Sequence, residues 1–226
     1  MSLKNDIFDL IVLGGGAAGS VLAARLSEDS SRKVLLLEAG RRAPETVYMP
    51  AKWISHVDTE IDWKYHTVPQ EGCFMRRLPW PRGKVIGGSG SINAMIYIRG
   101  IPTDFDGWEA SGCSGWGWED VLPVFKSSEH NGRFGNNEYH SSGGPLYVGD
   151  VPYLDPTEPI LLEAAKNAGH VFNEDFNGQH QEGVGYFQLL VKSGERFSAA
   201  KAFLEPAEER PNLEVRTGVV ITKIII

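Results

Sequence analysis

Apolar and polar positions alternate in blocks rather than along one period. A strand-length run, Phe8-Asp9-Leu10-Ile11-Val12-Leu13, breaks into Gly14-Gly15-Gly16-Ala17-Ala18-Gly19. It resumes as Ser20-Val21-Leu22-Ala23-Ala24-Arg25-Leu26, a stretch of helical composition with no breaker. A second apolar run, Val34-Leu35-Leu36-Leu37, ends on Glu38. The predicted order is strand, glycine turn, helix, strand, acid. Downstream, residues 118–125 open a helix with acids in its first turn, and residues 145–148 read as a strand. Residues 160–168 form a helix ended by Gly169, and residues 186–191 are strand-like. Residues 197–204 make a short helix. Residues 212–216 form a strand, Gly218 a turn, and residues 219–226 another strand.

The first block carries chemistry. Gly14, Gly16 and Gly19 fit G-x-G-x-x-G. The first glycine permits a tight turn, the second lets backbone approach a pyrophosphate, and the third lets helix and strand pack closely. The helix N-terminus then offers free N–H groups and a positive dipole end to the phosphates. Glu38 comes 19 positions after Gly19, near the roughly 20 expected for an acid on a ribose hydroxyl. These residues predict dinucleotide binding and leave NAD and FAD open.

A second glycine stretch follows an irregular aromatic excursion. Residues 48–81 hold Trp53, Trp63, Tyr65, Phe74 and Trp80 among four prolines, and read as either a lid or a packed loop. Then comes Arg82-Gly83-Lys84-Val85-Ile86-Gly87-Gly88-Ser89-Gly90-Ser91-Ile92-Asn93. Two bases followed by small residues suit close backbone approach to an anion, so the stretch reads as either a second cofactor-contact loop or a structural glycine turn. This is not a phosphate-binding loop of the G-x-x-x-x-G-K-[ST] kind, because Val85 stands where Ser or Thr is needed and Leu78 where the first glycine belongs.

Composition narrows the picture. The chain has 226 residues, 42% hydrophobic and 23% charged, enough to bury a core. A net charge of −7 argues against nucleic acid as a main partner. Cys73 and Cys113 are the two cysteines, and their isolation predicts free thiols in a reducing compartment, with no metal site. No apolar run approaches the roughly 20 residues of a membrane helix. The leader, with Asp6 and Asp9 against Lys4, has the wrong charges for a signal peptide.

Together, the two glycine stretches and Trp63-Lys64-Tyr65 resemble the glucose–methanol–choline family of flavin oxidoreductases. The most specific segment runs from Arg82 through Asn93 into Ala94-Met95-Ile96-Tyr97-Ile98-Arg99-Gly100. Phe105-Asp106-Gly107-Trp108, Tyr139-His140, Gly143-Gly144-Pro145 and Phe197-Ser198-Ala199-Ala200 continue the likeness, closest to its choline and alcohol dehydrogenase branch.

The resemblance implies an α/β fold. A Rossmann-like FAD-binding domain, a parallel sheet with a βαβ unit, would accompany an incomplete α+β substrate portion. It would occupy residues 1–150, with a lid-like excursion at about 41–81, and return at 194–226, with residues 151–193 in a substrate lobe. FAD would lie extended. Gly14, Gly16, Ala17, Ala18 and Gly19 would hold the pyrophosphate, Glu38 and Ala39 the adenosine, and Ile221 the adenine. Val85, Gly88, Ser89, Asn93, Ala94, Met95 and Ile96 would lie along the flavin, with Asn93 and Ala94 near its reactive edge. Ile92 stands where some relatives carry a flavin-linked histidine, which implies non-covalent FAD. The second serine often found after the glycine pair is Gly90 here.

The implied reaction is oxidation of an alcohol, choline among the candidates, to an aldehyde by hydride transfer to flavin. Oxygen or a quinone would take the electrons. The protein would be cytoplasmic, with peripheral membrane contact left open for a quinone acceptor. None of His56, His66, His130, His140, His170 and His180 matches the family's catalytic position, so no catalytic residue is assigned. All six are read as surface or loop histidines. The chain reads as a piece of a longer protein, inactive alone and a poor binder of FAD. Three alternatives stay open: a flavin-containing hydroxynitrile lyase of the same family, a nicotinamide dehydrogenase, and a non-catalytic dinucleotide-binding module.

Overall fold

The computed structural model describes residues 7–225. Lys4, Asp6 and Ile226, used in the expectations above, lie outside them. The first elements are β1 (Leu10–Leu13), α1 (Ala17–Leu26), β2 (Val34–Glu38), β3 (Tyr65–His66) and β4 (Pro79–Trp80). Then come α2 (Pro102–Ala110), α3 (Trp118–Ser128), β5 (Glu129–Asn131), β6 (Leu146–Val148) and α4 (Glu158–Asn167). The last are β7 (Val191–Lys192), β8 (Glu195–Arg196), α5 (Glu205–Ala207) and β9 (Leu213–Thr217). They fall into two units. One uses the chain up to Ala94 and again from Glu195; the other is Met95–Gly194. The boundary expected near Asp150 therefore lies inside the second unit.

The first unit is built on a parallel sheet in the order β1-β2-β9. Leu10 pairs with Val34 and Leu13 with Leu37; across the other edge Val34 pairs with Leu213 and Glu38 with Thr217. Val34, Leu35 and Leu36 are buried, as expected of a central parallel strand covered on both faces. α1 presents small residues inward, Gly19, Ser20, Ala23 and Ala24, so it can lie close to the sheet. At Gly19 the approach leaves no room: an added Cβ would stand 1.8 Å from the Gly14 carbonyl oxygen. The predicted helix at 197–204 forms as a π-helical turn, Ala200–Leu204, running into α5. The final predicted strand is corrected. After Gly218, at φ +73, Val219 N–H still donates to Glu38 O at 2.9 Å, but residues 219–225 form no strand among the described residues, so their β-branched composition is not realised.

The long excursion is ordered on a core of its own. Val47, Ile61, Val85 and Ile92 are buried together, with Ala43 packed against them. Two 3₁₀ turns, Glu45–Tyr48 and Pro50–His56, lead to a short hairpin in which Tyr65 pairs with Trp80 and His66 with Pro79. Buried Asp62 ties the two arms, accepting N–H groups of Asp58 at 2.9 Å, Lys64 at 3.0 Å and Arg82 at 3.0 Å. Burial pushes its carboxyl up, but these backbone donors and the Lys64 charge outweigh that and hold it below the usual range.

In the second unit, Phe105 of α2 sits among Trp108, Trp118 and Phe125, with ring centroids 5.3, 5.8 and 5.6 Å away. β5 and β6 run parallel. Beside them lies a charged cluster around His140, which is a loop histidine but not a surface one. That side chain is fully buried, with Nδ1 at 3.0 Å from a Glu129 oxygen and Nε2 at 2.9 Å from Asp175. Arg99, also buried, donates to Glu129 at 3.0 Å. His56, in the first unit, is likewise buried, with Nε2 3.1 Å from the Thr46 carbonyl. A histidine goes inside when partners there satisfy both its charge and its N–H groups, and those partners are distant in sequence.

Candidate cofactor site

The site grows from the turn between β1 and α1. Gly14 has φ +93, a conformation that a side chain disfavours. Its N–H donates to Leu37 O at 2.8 Å, which ties the turn to β2. The next N–H, of Gly15, donates to Glu38 Oε2 at 2.7 Å, and Glu38 Oε1 accepts Gly40 N–H at 2.7 Å. Buried Glu38 is thus fixed by the backbone on both sides of the crevice. α1 then begins without any side-chain cap, leaving its first-turn N–H groups without intrahelical partners.

The second glycine stretch closes on the first. Gly87 N–H donates to Gly15 O at 2.7 Å. Gly87 and Gly88 have φ +89 and +55. A Cβ added at Gly88 would meet Gly16 Cα at 2.8 Å, so two backbones touch where each carries a glycine. Gly83 N–H donates to Ser89 Oγ at 3.1 Å, and Ser91 Oγ donates to Ile86 O at 2.7 Å. These hydroxyl bonds shape the loop.

Between the two turns opens a cleft of about 650 Å³. Of the residues singled out from sequence, Gly14, Gly16, Ala17, Ala18, Gly19, Glu38, Ala39, Gly88, Ser89 and Ile221 line it. Val85, Asn93 and Ala94 belong to the same unit but not to this lining. The Val85 side chain is wholly buried in the excursion core, which leaves its backbone as the available part. Met95 and Ile96 belong to the second unit.

Other lining residues stood in the sequence motifs without an assigned contact. Trp63 and Tyr65 stack with centroids 5.7 Å apart, and Arg82 also lines the cleft, its guanidinium donating to Pro81 O at 2.7 Å and lying over the Trp80 ring. The aromatic excursion and the paired bases were visible in the sequence, but nothing local said which side chains would face the glycine turn. Arg196 was missed outright. It is buried, and its guanidinium grips the loop from below: Nε donates to Val47 O at 2.9 Å, Nη1 to Gly90 O at 2.9 Å and Asn93 Oδ1 at 2.8 Å, and Nη2 to Asn93 O at 2.8 Å.

This order of strand, glycine turn, helix, acid and second glycine loop is matched by the family model described as GMC oxidoreductase, over residues 8–226. The chain belongs to the GMC oxidoreductase family. Among curated members it is 45% identical over 222 residues to alcohol dehydrogenase [acceptor] of Pseudomonas putida, covering 97% of this chain and 40% of that one. It is 43% identical over 225 residues to glucose dehydrogenase [FAD, quinone] of Drosophila pseudoobscura pseudoobscura, covering 97% and 36%. Among solved GMC structures, pyridoxine 4-oxidase from Mesorbium loti superposes with a TM-score of 0.88 at 38% identity, over 94% of this chain and 42% of that one. The chain spans about 40% of the length of the relatives it matches.

Among the described residues, no helix is long and apolar enough to cross a membrane, and no group of three His, Cys, Asp or Glu could hold a metal ion. Cys73 and Cys113 are both free.

Proposed function

We propose that the full-length protein is an FAD-dependent oxidoreductase that converts an alcohol to an aldehyde, and that this chain forms the walls for the adenosine–pyrophosphate half of the cofactor. The observation that carries this reading is the meeting of the two glycine turns at Gly16 and Gly88. A Cβ at Gly16 would have open space within the protein, its nearest neighbour being Gly88 Cα at 4.0 Å. Glycine at that position therefore suits something that occupies the cleft rather than the protein's own packing.

The residues present fit FAD. The uncapped start of α1 at Gly16, Ala17 and Ala18 offers N–H groups to a pyrophosphate, with Gly14 and Gly19 shaping the turn and Arg82 among the lining residues. Each oxygen of Glu38 accepts a backbone N–H and keeps a second lone pair, so the carboxylate can also accept a ribose hydroxyl. Ala39 and Ile221 suit the adenine. Gly88, Ser89, the Val85 backbone, Asn93 and Ala94 are proposed to follow the isoalloxazine ring. Ile92 is a buried hydrocarbon and has no atom to bond the flavin, so binding is non-covalent.

When bound, FAD supplies the acceptor for the hydride leaving the alcohol carbon. This chain's part is to anchor, orient and partly desolvate it. No histidine of residues 1–226 is assigned as the base for the hydroxyl proton. The partners are a small-molecule alcohol, choline among the candidates, and an electron acceptor, oxygen or a quinone. Acid precipitation of the purified full-length protein tests the cofactor. Stoichiometric FAD in the supernatant is expected; flavin left on the pellet, or NAD in the supernatant, overturns the reading.

A further inference from the structure

Arg196 is a buried cation without a counter-ion. Its relative exposure is 1%, and no carboxylate pairs with it among the described residues. All four acceptors around it are neutral oxygens: three carbonyls and the side-chain oxygen of Asn93. Burial pulls the guanidinium down to about 10, so it stays charged at neutral pH.

That grip has a directional consequence. The Asn93 carbonyl is turned toward Arg196, so the N–H of Ala94, on the same trans peptide, points the opposite way. Asn93 Oδ1 also accepts from Arg196, so the guanidinium holds both the side chain and the backbone of this residue. The guanidinium therefore draws acceptors inward and turns the Ala94 N–H outward, and its unpaired charge is held behind that peptide in a low-dielectric setting where Coulomb terms are strong.

We propose that Arg196 is a positioning residue of the flavin site: by holding the Asn93 carbonyl it orients the Ala94 N–H toward the cofactor, and its uncompensated charge favours the reduced flavin. The proposal rests on the FAD reading above. Accepting a hydride adds negative charge to the cofactor, so a fixed cation behind the donors should make reduction easier.

The test is the two-electron midpoint potential of bound FAD in the full-length holoprotein. Arg196→Met keeps bulk and removes charge. It should lower the reduction equilibrium at least about tenfold, a shift of about 30 mV to more negative potential. Because that variant strands four acceptors, a second keeps the test decisive should it fail to fold. Asn93→Asp gives Arg196 a counter-ion, cancels its charge without emptying the site, and should shift the potential the same way. Arg196→Lys, which keeps the charge but not the fork, should retain most of the potential and slow flavin reduction without a matching change in KM. FAD-loaded Asn93→Asp with an unchanged potential overturns the proposal. A wild-type protein without FAD overturns the underlying reading instead.

Discussion

Glu38 accepts the backbone N–H of Gly15 at 2.7 Å from 23 residues further along the chain. This one bond joins the glycine turn to the end of β2, and its sister to Gly40 fixes the second carboxylate oxygen. A carboxylate suits the spot because it presents two acceptors. Glu38→Gln presents one acceptor and turns an NH₂ onto an N–H donor. It should cost about 1–3 kcal/mol in urea unfolding and weaken FAD at least about tenfold, as measured by fluorescence titration of the apoprotein. Unchanged stability would mean that the two bonds do not hold the turn.

The glycines of the first turn separate packing from binding. Gly19→Ala puts a methyl 1.8 Å from Gly14 O, and should destabilise by at least about 1–3 kcal/mol through overpacking. Gly16→Ala meets nothing closer than 4.0 Å. Its stability should stay within about 0.5 kcal/mol of wild type, while FAD affinity falls steeply. Thermal melts of the apoproteins beside FAD titrations distinguish the two.

His140 makes the second unit sensitive to pH. Burial alone would push its pKa down, but the hydrogen bonds and charges of Asp175 and Glu129 outweigh this and raise it. Glu129 and Asp175 are themselves pushed up by burial, and are lowered overall chiefly by the bond to His140. A raised histidine contributes stability that is complete below its unfolded value of 6.5 and is lost as pH rises through the folded value. Lowered carboxylates contribute above their unfolded values, 4.5 and 3.8, and lose it as pH falls. Stability from this cluster should therefore be greatest between 4.5 and 6.5 and decline on both sides. Urea midpoints across pH should show the alkaline decline in wild type, flattened in His140→Gln.

Asp62→Asn tests whether the excursion is held by charge. The amide oxygen can keep some of the three backbone N–H groups but loses the ionic share of each bond. A loss of about 1–3 kcal/mol is expected. Trp63 emission should shift red and proteolysis should begin between residues 58 and 82. Unchanged emission and cleavage would show the apolar core to be sufficient.

What could be read from sequence was local. Gly14, Gly16, Gly19 and Glu38 announce themselves because strand, turn, helix and acid follow within one βαβ unit, where chain order determines neighbourhood. The second glycine loop was legible for the same reason, being contiguous. Arg196 was not, because its partner Asn93 lies 103 residues away and an arginine beside a helix start looks like any surface base. His140, read as a surface or loop histidine, does lie in a loop, but its burial was not legible because its environment comes from Glu129, 11 residues back, and Asp175, 35 residues on. The strand expected after Gly218 failed differently: β propensity names a candidate, and only a partner makes a strand.

The account turns on whether this cleft serves a flavin that takes hydride from an alcohol. The direct measurement is the visible spectrum of the full-length protein under nitrogen, titrated with choline and simple primary alcohols. The account predicts flavin absorbance in the resting protein and its bleaching by at least one of these alcohols, with recovery when oxygen or a quinone is admitted. A resting protein without flavin bands, or flavin that no alcohol bleaches, would contradict it.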